Sequence, residues 1–366
     1  MLNEQNEQNV QKHQRSKLTL IIDGNWLWMS RLSVLDNKYR ELTALCQDLK
    51  LMIIKSINIV LRQFPEIDNV IFVADGGSWR SQVELPKFMV EHATEETIIE
   101  YKGTRKTNTE LDWDTIWAAY EDFLSMLSAA GITTCRENGL EGDDWIYHWS
   151  RLLNSQSTNV IIWTKDNDLK QLVQTSKNKC FTVLWNKDNG VFTDNHVEGD
   201  MDFFFNTEFN VNEEILNNVI DHAKKVTSID PHKIVVEKIM RGDGSDNIWP
   251  VFTRHSKNNS GKKFKISTKD MNYDINLQND DEVRDYFSTL LSSKNYIGRV
   301  DESLEDIMEH FYYNRTLVML DRTSYPDDIT EIMQRYVTYN CNKNVNEVES
   351  RIQAQANRLN GILEII

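Results

Sequence analysis

Three apolar, β-branched runs that each end in aspartate constrain this chain more than any other feature. They are LTLIID (18–23), NVIFVADGG (69–77) and NVIIWTKDND (159–168). Runs that are apolar on both alternating faces suit strands covered on both sides, as in a parallel sheet. Between and after them, apolar residues recur at three- and four-residue spacing over about 39–64, 111–131 and 143–153, which predicts helices. Pro65 closes the first of these. ITTCR reads as a short connecting segment, and LKQLV as the start of a helix beyond the third strand. Strand alternating with helix predicts an α/β domain with a mainly parallel central sheet, spanning 17–200.

The rest of the chain, 201–366, reads as mostly helical, from EEILNNVIDHAKKV through HKIVVEKIMRG and LEDIMEHFYYNRTLVML to EVESRIQAQANRLNGILEII. Within it RHSKNNSGKKFKISTK (254–269) has little apolar content and reads as a loop. Residues 1–16 are Gln/Asn-rich and aperiodic, so a disordered polar leader is expected. The chain length, 366 residues, fits about two domains. Cys46, Cys135, Cys180 and Cys341 form no C-x-x-C pair, which argues against a zinc finger or a secreted disulfide framework and fits a reducing cytosol. No run of about 18 apolar residues occurs, so neither a membrane span nor export is expected, and the location is read as cytoplasmic.

A formal net charge of −15 ordinarily weighs against a nucleic-acid partner. The inference fails if the acids are gathered around metal ions and a local basic surface meets phosphate. The strand-end aspartates suggest such gathering, because the C-terminal strand ends of an open α/β sheet open into one crevice. Asp23, Asp75, Asp166 and Asp168 should meet there, joined by Glu141, Asp143 and Asp144 from GLEGDDW at a helix start. Two unit charges about 4 Å apart repel by roughly 4 kcal/mol at an effective dielectric near 20, so divalent cations are the economical remedy. All-oxygen donors select Mg²⁺, with Mn²⁺ as a substitute, and the eight histidines show no zinc spacing. Two such ions clamp a phosphodiester, which makes phosphoryl hydrolysis the natural reaction. A single Asp after a strand is usually a turn or N-cap residue, so the weight lies on the conjunction.

Two further segments join it. IMRGDGSDNIW carries Asp243 and Asp246 in a turn that is unremarkable by itself. EYKGTRK sets Lys102, Arg105 and Lys106 beside Tyr101; a charge run is usually a solvated face, but after the second strand it lies close to the crevice, where it can meet phosphate and stack a base.

IIDGN, VADGG, YKGTRK, EGDD, TKDNDLKQL and GDGSDN follow one another in the order found in the flap-endonuclease family of structure-specific 5′ nucleases, and the chain resembles its phage branch of 5′ to 3′ exonucleases and ribonucleases H. The resemblance implies a PIN-like 5′-nuclease domain, a mostly helical C-terminal DNA-binding domain, and an arch or clamp over single-stranded ends at 81–109. It further implies Mg²⁺-dependent hydrolysis at 5′ ends of DNA or RNA:DNA duplex, RNA primers or flaps during phage replication, by a monomer in the host cytoplasm. Position by position, Asp75, Glu141, Asp143, Asp144 and Asp166 match a first metal group, some of them in outer-shell roles, and Asp166, Asp168, Asp243 and Asp246 a second, with Asp23 at the edge of both. Lys102 and Arg105 match the residues that hold the scissile phosphate, Tyr101 the stacking residue, and Arg80 is a further nucleic-acid candidate.

One departure concerns the segment after GDGSDN, where cellular relatives carry a glycine-patterned hairpin that often holds K⁺. Here the chain reads IWPVFTRHSKNNSGKKFK, which speaks against a bound K⁺. Its Arg254, Lys257, Lys262, Lys263 and Lys265 are expected on backbone phosphates. GILEII is read as an apolar helix end packed on its own domain, with a tail for a sliding clamp or single-strand-binding protein as the other reading. Two alternative functions compete: a catalytically silent DNA-binding relative, and a haloacid-dehalogenase-type phosphatase. The second would want Asp where Asn25 stands.

Overall fold

The computed structural model describes residues 17–35, 41–92, 98–105, 111–175, 180–194, 210–252, 264–300 and 302–363. Strand β1 (Lys17–Asp23) is the third strand of a seven-stranded sheet, with β2 (Asn69–Val73) and β3 (Thr133–Cys135) on one side. On the other side follow β4 (Thr158–Trp163), β5 (Thr182–Asn186), β6 (Gly190–Asp194) and β7 (Val226–Ile229). Every neighbouring pair is parallel except the β5–β6 hairpin. Strands β1, β2 and β4 are buried almost throughout, which is why their sequences are continuous apolar runs and not alternating ones.

Side-chain alternation divides the core into two faces. Leu18, Leu20, Ile22, Val70, Phe72, Ile161, Trp163, Val183 and Trp185 point to one face, covered by α1 (Gly24–Leu35), α2 (Leu42–Gln63), α4 (Trp113–Ala129), α6 (Asn210–His222) and α11 (Val345–Leu363). Ile21, Ile71, Val73, Val160, Ile162 and Leu184 point to the other, beneath α5 (Gly142–Ser155) and α10 (Asp327–Gln334). A third cluster unites α7 (Pro231–Arg241), α8 (Asp280–Ser292) and α9 (Leu304–Val318) around Phe252, Phe287 and Phe311, and Met89 of the short α3 (Lys87–His92) packs into it.

The fold is the expected one, with several local differences. LKQLV opens no α-helix; Asp168–Leu172 is one 3-10 turn. ITTCR contains the edge strand β3, and the β5–β6 hairpin and β7 were not foreseen. Beyond residue 200, β7 pairs with β6, α10 contributes Ile329 and Met333 to the second core face, and α11 packs on α2 and α4. Of the 81–109 segment, the described parts are a 3-10 turn at Trp79–Gln82, helix α3 and the turn at 101–104; 93–97 and 106–109 lie outside the described residues. All four cysteines are free. Among the described residues no helix is long and apolar enough to cross a membrane.

Candidate active site

Local chemistry sets each acid in place. Asp23 ends β1, accepts the Trp26 backbone N–H at 3.0 Å, and takes the Thr164 hydroxyl at 2.7 Å. Asp75, just past β2, accepts Asn25 Nδ2 at 2.7 Å and the Gly142 N–H at 2.6 Å. Asn25 in turn accepts the Tyr120 hydroxyl at 2.9 Å and the Asp75 N–H at 3.1 Å, so the ends of β1 and β2 are tied together. The loop holding Asp75 is admitted by Gly76, where a Cβ would lie 1.8 Å from the Glu137 carbonyl oxygen.

Glu141 caps α5, and Asp144 closes the capping box by accepting the Glu141 N–H at 2.9 Å. The partial positive charge of this helix start favours the acids gathered there. Asp143, between them, has no hydrogen bond or ion pair among the described residues. After β4, the Thr164 hydroxyl accepts the Asp166 N–H at 2.9 Å, and the Asp166 carboxylate accepts the Asp168 N–H at 2.8 Å.

The other half of the site comes from α7 and the turns near it. Lys238 ion-pairs with Asp168 and, at 2.5 Å, with Asp243, whose carboxylate also accepts the Ser245 N–H and hydroxyl. Gly242 is obligatory at the head of this turn, with φ +71° and a Cβ position 2.4 Å from the Ile248 carbonyl oxygen. Asn247 donates to the carbonyls of Ile98 and Glu100, both at 3.0 Å, and Lys102 N–H donates to the Asp246 carbonyl at 2.8 Å. These bonds weld GDGSDN to YKGTRK and hold Lys102 at φ +57°, a left-handed conformation that a side-chain-bearing residue adopts only when its surroundings impose it. From there Lys102 pairs with Glu141, and Arg105 reaches Asp246 at 2.6 Å.

Electrostatics separate the acids into two sets. Burial, then the charges of Asp75 and Asp166, push Asp23 up to about 7 despite its two hydrogen bonds. Asp143 is driven well above the usual carboxylate range by burial and by Asp166 and Asp23; Asp75 is raised by burial and by Glu141. Burial raises Asp168 to about 6, with Asp166 adding to it and Lys238 opposing it. Glu141 and Asp243 go the other way: burial acts to raise them, but Lys102 and Arg80 hold Glu141 down, and Lys238 and Ser245 hold Asp243 down.

Can these residues hold a metal? Among the described residues no three His, Cys, Asp or Glu side chains already stand at ion-holding spacing. The donor set nonetheless suits a hard divalent cation: it is all oxygen, it carries more negative charge than its lysines and arginines balance, and mutual repulsion raises several of its members. Asp23 and Asp143, both raised further by the Asp166 charge, could hold it together with Asp166, and Asp168 lies next along.

A family model for the 5′-3′ exonuclease N-terminal resolvase-like domain matches residues 20–202. The chain belongs to the 5′-3′ exonuclease family. It is a hydrolase of phosphodiester bonds. The bacteriophage T5 D15 protein co-crystallised with metal ions has the same fold, at 16% identity and TM-score 0.51, over 91% of this chain and 100% of that one. A T5 D15 flap endonuclease variant in a pseudo-enzyme-product complex with DNA and metal ions gives 15% identity and TM-score 0.50 over the same shares. At such identities the likeness is one of fold. No curated protein matches the sequence.

Within this 5′-3′ exonuclease two of the expected site residues lie in the core beneath the crevice. Arg80 is 2% exposed and donates to Glu141 at 3.0 Å, to Asp144 at 2.7 Å and to the Leu317 carbonyl at 3.1 Å, so it is a buried strut and not a nucleic-acid contact. Asp144 is wholly buried with its oxygens committed to Arg80 and the capping box, a placement that suits a supporting role behind the metal donors. Tyr101 is half-buried against the third core, its hydroxyl 3.4 Å from Asp246. Lys265 is exposed, whereas Lys106, Arg254, Lys257, Lys262 and Lys263 lie outside the described residues. Sequence reasoning missed Lys238, Thr164 and Asn25. Lys238 had a signal: it sits in the last turn of a helix running into Asp243, where a basic residue meets the C-terminal carbonyls and whatever acid follows.

Proposed function

We propose that this chain is a divalent-metal-dependent, structure-specific 5′ nuclease that hydrolyses RNA primers and 5′ DNA ends or flaps in phage replication, using Mg²⁺ in two carboxylate groups. The reading is carried by the convergence at one sheet end of Asp23, Asp75, Asp143 and Asp166, three of them raised by burial and by neighbouring carboxylates, with Lys102 and Arg105 at their edge. It is supported by family membership and by the fold shared with T5 D15, a flap endonuclease crystallised with DNA and metal ions. Bound there, divalent cations supply Lewis-acid charge to a phosphodiester. The chain's own residues do the rest. Thr164 and the Trp26 N–H orient Asp23. Lys102, Arg105 and Lys238 are held by acids that a phosphate can replace as their partner, so they can position the scissile phosphate and offset its charge in the transition state. A monomer of two functional parts, a catalytic sheet domain and a helical DNA-binding part, completes the reading.

The test is a cleavage time course on 5′-labelled RNA:DNA hybrid, nicked duplex and 5′-flap substrates with Mg²⁺ or EDTA, for wild type and Asp168→Asn. Short 5′-phosphorylated products from wild type in Mg²⁺ alone are expected. Tight binding to forked DNA with no cleavage would replace the nuclease by a silent DNA-binding relative.

A further inference from the structure

Between α1, α2 and the β5–β6 hairpin lies a groove of about 590 Å³ that the catalytic reading leaves unused. Its floor is aromatic. Trp26 meets Trp163 edge-on at 6.2 Å, and Trp163 lies tilted against Trp185 at 5.7 Å. The last two are neighbours because β4 and β5 pair in that register. Trp26 is the more accessible ring, and Val34 and Ile59 on the rim are 48% and 57% exposed.

The charge around this floor runs against the rest of the chain. Arg31, Lys165, Lys187 and Lys224 border the groove, and Asp188, paired with Lys165, is the only acid among its described lining residues, in a protein of net charge −15. Arg31 Nε is buried without a hydrogen-bond partner among the described residues. Core packing accounts for Trp163 and Trp185, but not for exposed Val34 and Ile59 or for four cations around an apolar floor.

The groove also shares its wall with the acids. Trp26 donates its N–H to Asp23, Trp163 precedes the Thr164 that bonds Asp23, and Lys165 precedes Asp166. An aromatic floor under a basic rim suits a base lying on a ring with its phosphates on the cations, and the volume lies within the range of small-ligand sites. We propose that this groove takes an unstacked nucleotide of the nucleic acid being cut, Trp26 receiving the base and Arg31, Lys187 and Lys224 the adjoining phosphates. The assignment rests on the nuclease reading and adds to it a place where the strand is held beside the cutting site.

The test uses a 5′-flap substrate in which a single abasic nucleotide is moved along each strand, with binding followed by fluorescence anisotropy in EDTA. Wild type should lose about fivefold or more in affinity at one or two adjacent positions, the scale of one lost base stack. In Trp26→Ala that sensitivity should vanish. If Trp26→Ala does not fold, Lys187→Ala with Lys224→Ala, both exposed, should still lower the salt slope of wild-type binding by about two. A wild type that cleaves in Mg²⁺ but has no abasic-sensitive position overturns the groove assignment and leaves the nuclease standing. So does a sensitive position that persists in Trp26→Ala. A wild type with no metal-dependent cleavage overturns the nuclease reading, and this assignment with it.

Discussion

Two sets of carboxylates share one end of one sheet and are treated in opposite ways. Asp23, Asp75, Asp143 and Asp166, from the sheet strands and the start of α5, have no ion pair among the described residues. Glu141, Asp168, Asp243 and Asp246 each have a cation: Lys102, Lys238 for two of them, and Arg105. The first set is raised where its shift is resolved, whereas pairing holds Glu141 and Asp243 low. The difference teaches that identical side chains in one crevice can be either strained charge awaiting a cation or settled structure. Asp168, raised although paired, lies on the border between them.

The sharpest way to break this comparison is to make one substitution in both sets. Asp143→Asn should lower Mg²⁺-dependent cleavage by about 10²-fold or more. Because it removes an unpaired charge that its neighbours repel, it should also stabilise the metal-free protein at pH 8 by about 1 kcal/mol. Asp243→Asn should instead destabilise it, since Lys238 loses a partner. Urea unfolding of both variants at pH 8 checks the signs, and two changes of equal sign would erase the distinction.

Arg80→Met comes next in size. It leaves Asp144 as a buried acid without its cation and Glu141 with Lys102 alone, for an expected loss of about 3–5 kcal/mol. Were Arg80 a phosphate contact, denaturant unfolding would be unchanged and only substrate affinity would fall. Lys238→Met should convert the second set toward the first, costing about 1–3 kcal/mol at pH 8 and less at pH 5, where Asp168 carries a proton. An equal cost at both values would show that Lys238 serves through packing alone.

The smallest effect is a pH dependence. Asp23 at about 7 and Asp168 at about 6 bind protons more tightly in the native state than in the unfolded chain. Their contribution to stability is therefore fully present below about pH 4 and is lost as pH rises through 6 to 7. A cation that needs these carboxylates ionised competes with those protons. The rise in melting temperature on adding Mg²⁺ should therefore be larger at pH 8 than at pH 5.5, by a few degrees. A rise independent of pH would place the binding elsewhere.

Much of this was legible in the residues. Burial on both faces leaves no polar positions in β1, β2 and β4, so the strands and their terminal acids were visible as apolar runs ending in Asp. The β5–β6 hairpin, β7 and the 3-10 turn at Asp168–Leu172 were not, because short edge elements carry too few residues for a period to show. Asp144 was placed in the site on motif order and Arg80 on nearness to Asp75, and both register sequence neighbourhood and not which side chains face the core.

What the sequence by itself determined is the inventory: three strand ends bearing acids, a helix start bearing three more, a glycine turn bearing two, and a basic segment between them. Tertiary structure alone decided who meets whom. Lys102 reaches Glu141 only because Asn247 and the Asp246 carbonyl hold its loop in a left-handed turn. Lys238 reaches Asp168 across 70 residues only because α7 packs beside the 3-10 turn after β4. Local patterning fixes backbone shape through steric and hydrophobic periodicity, but the pairing of charges is a long-range choice among partners of equal chemistry, and only the packed chain makes it.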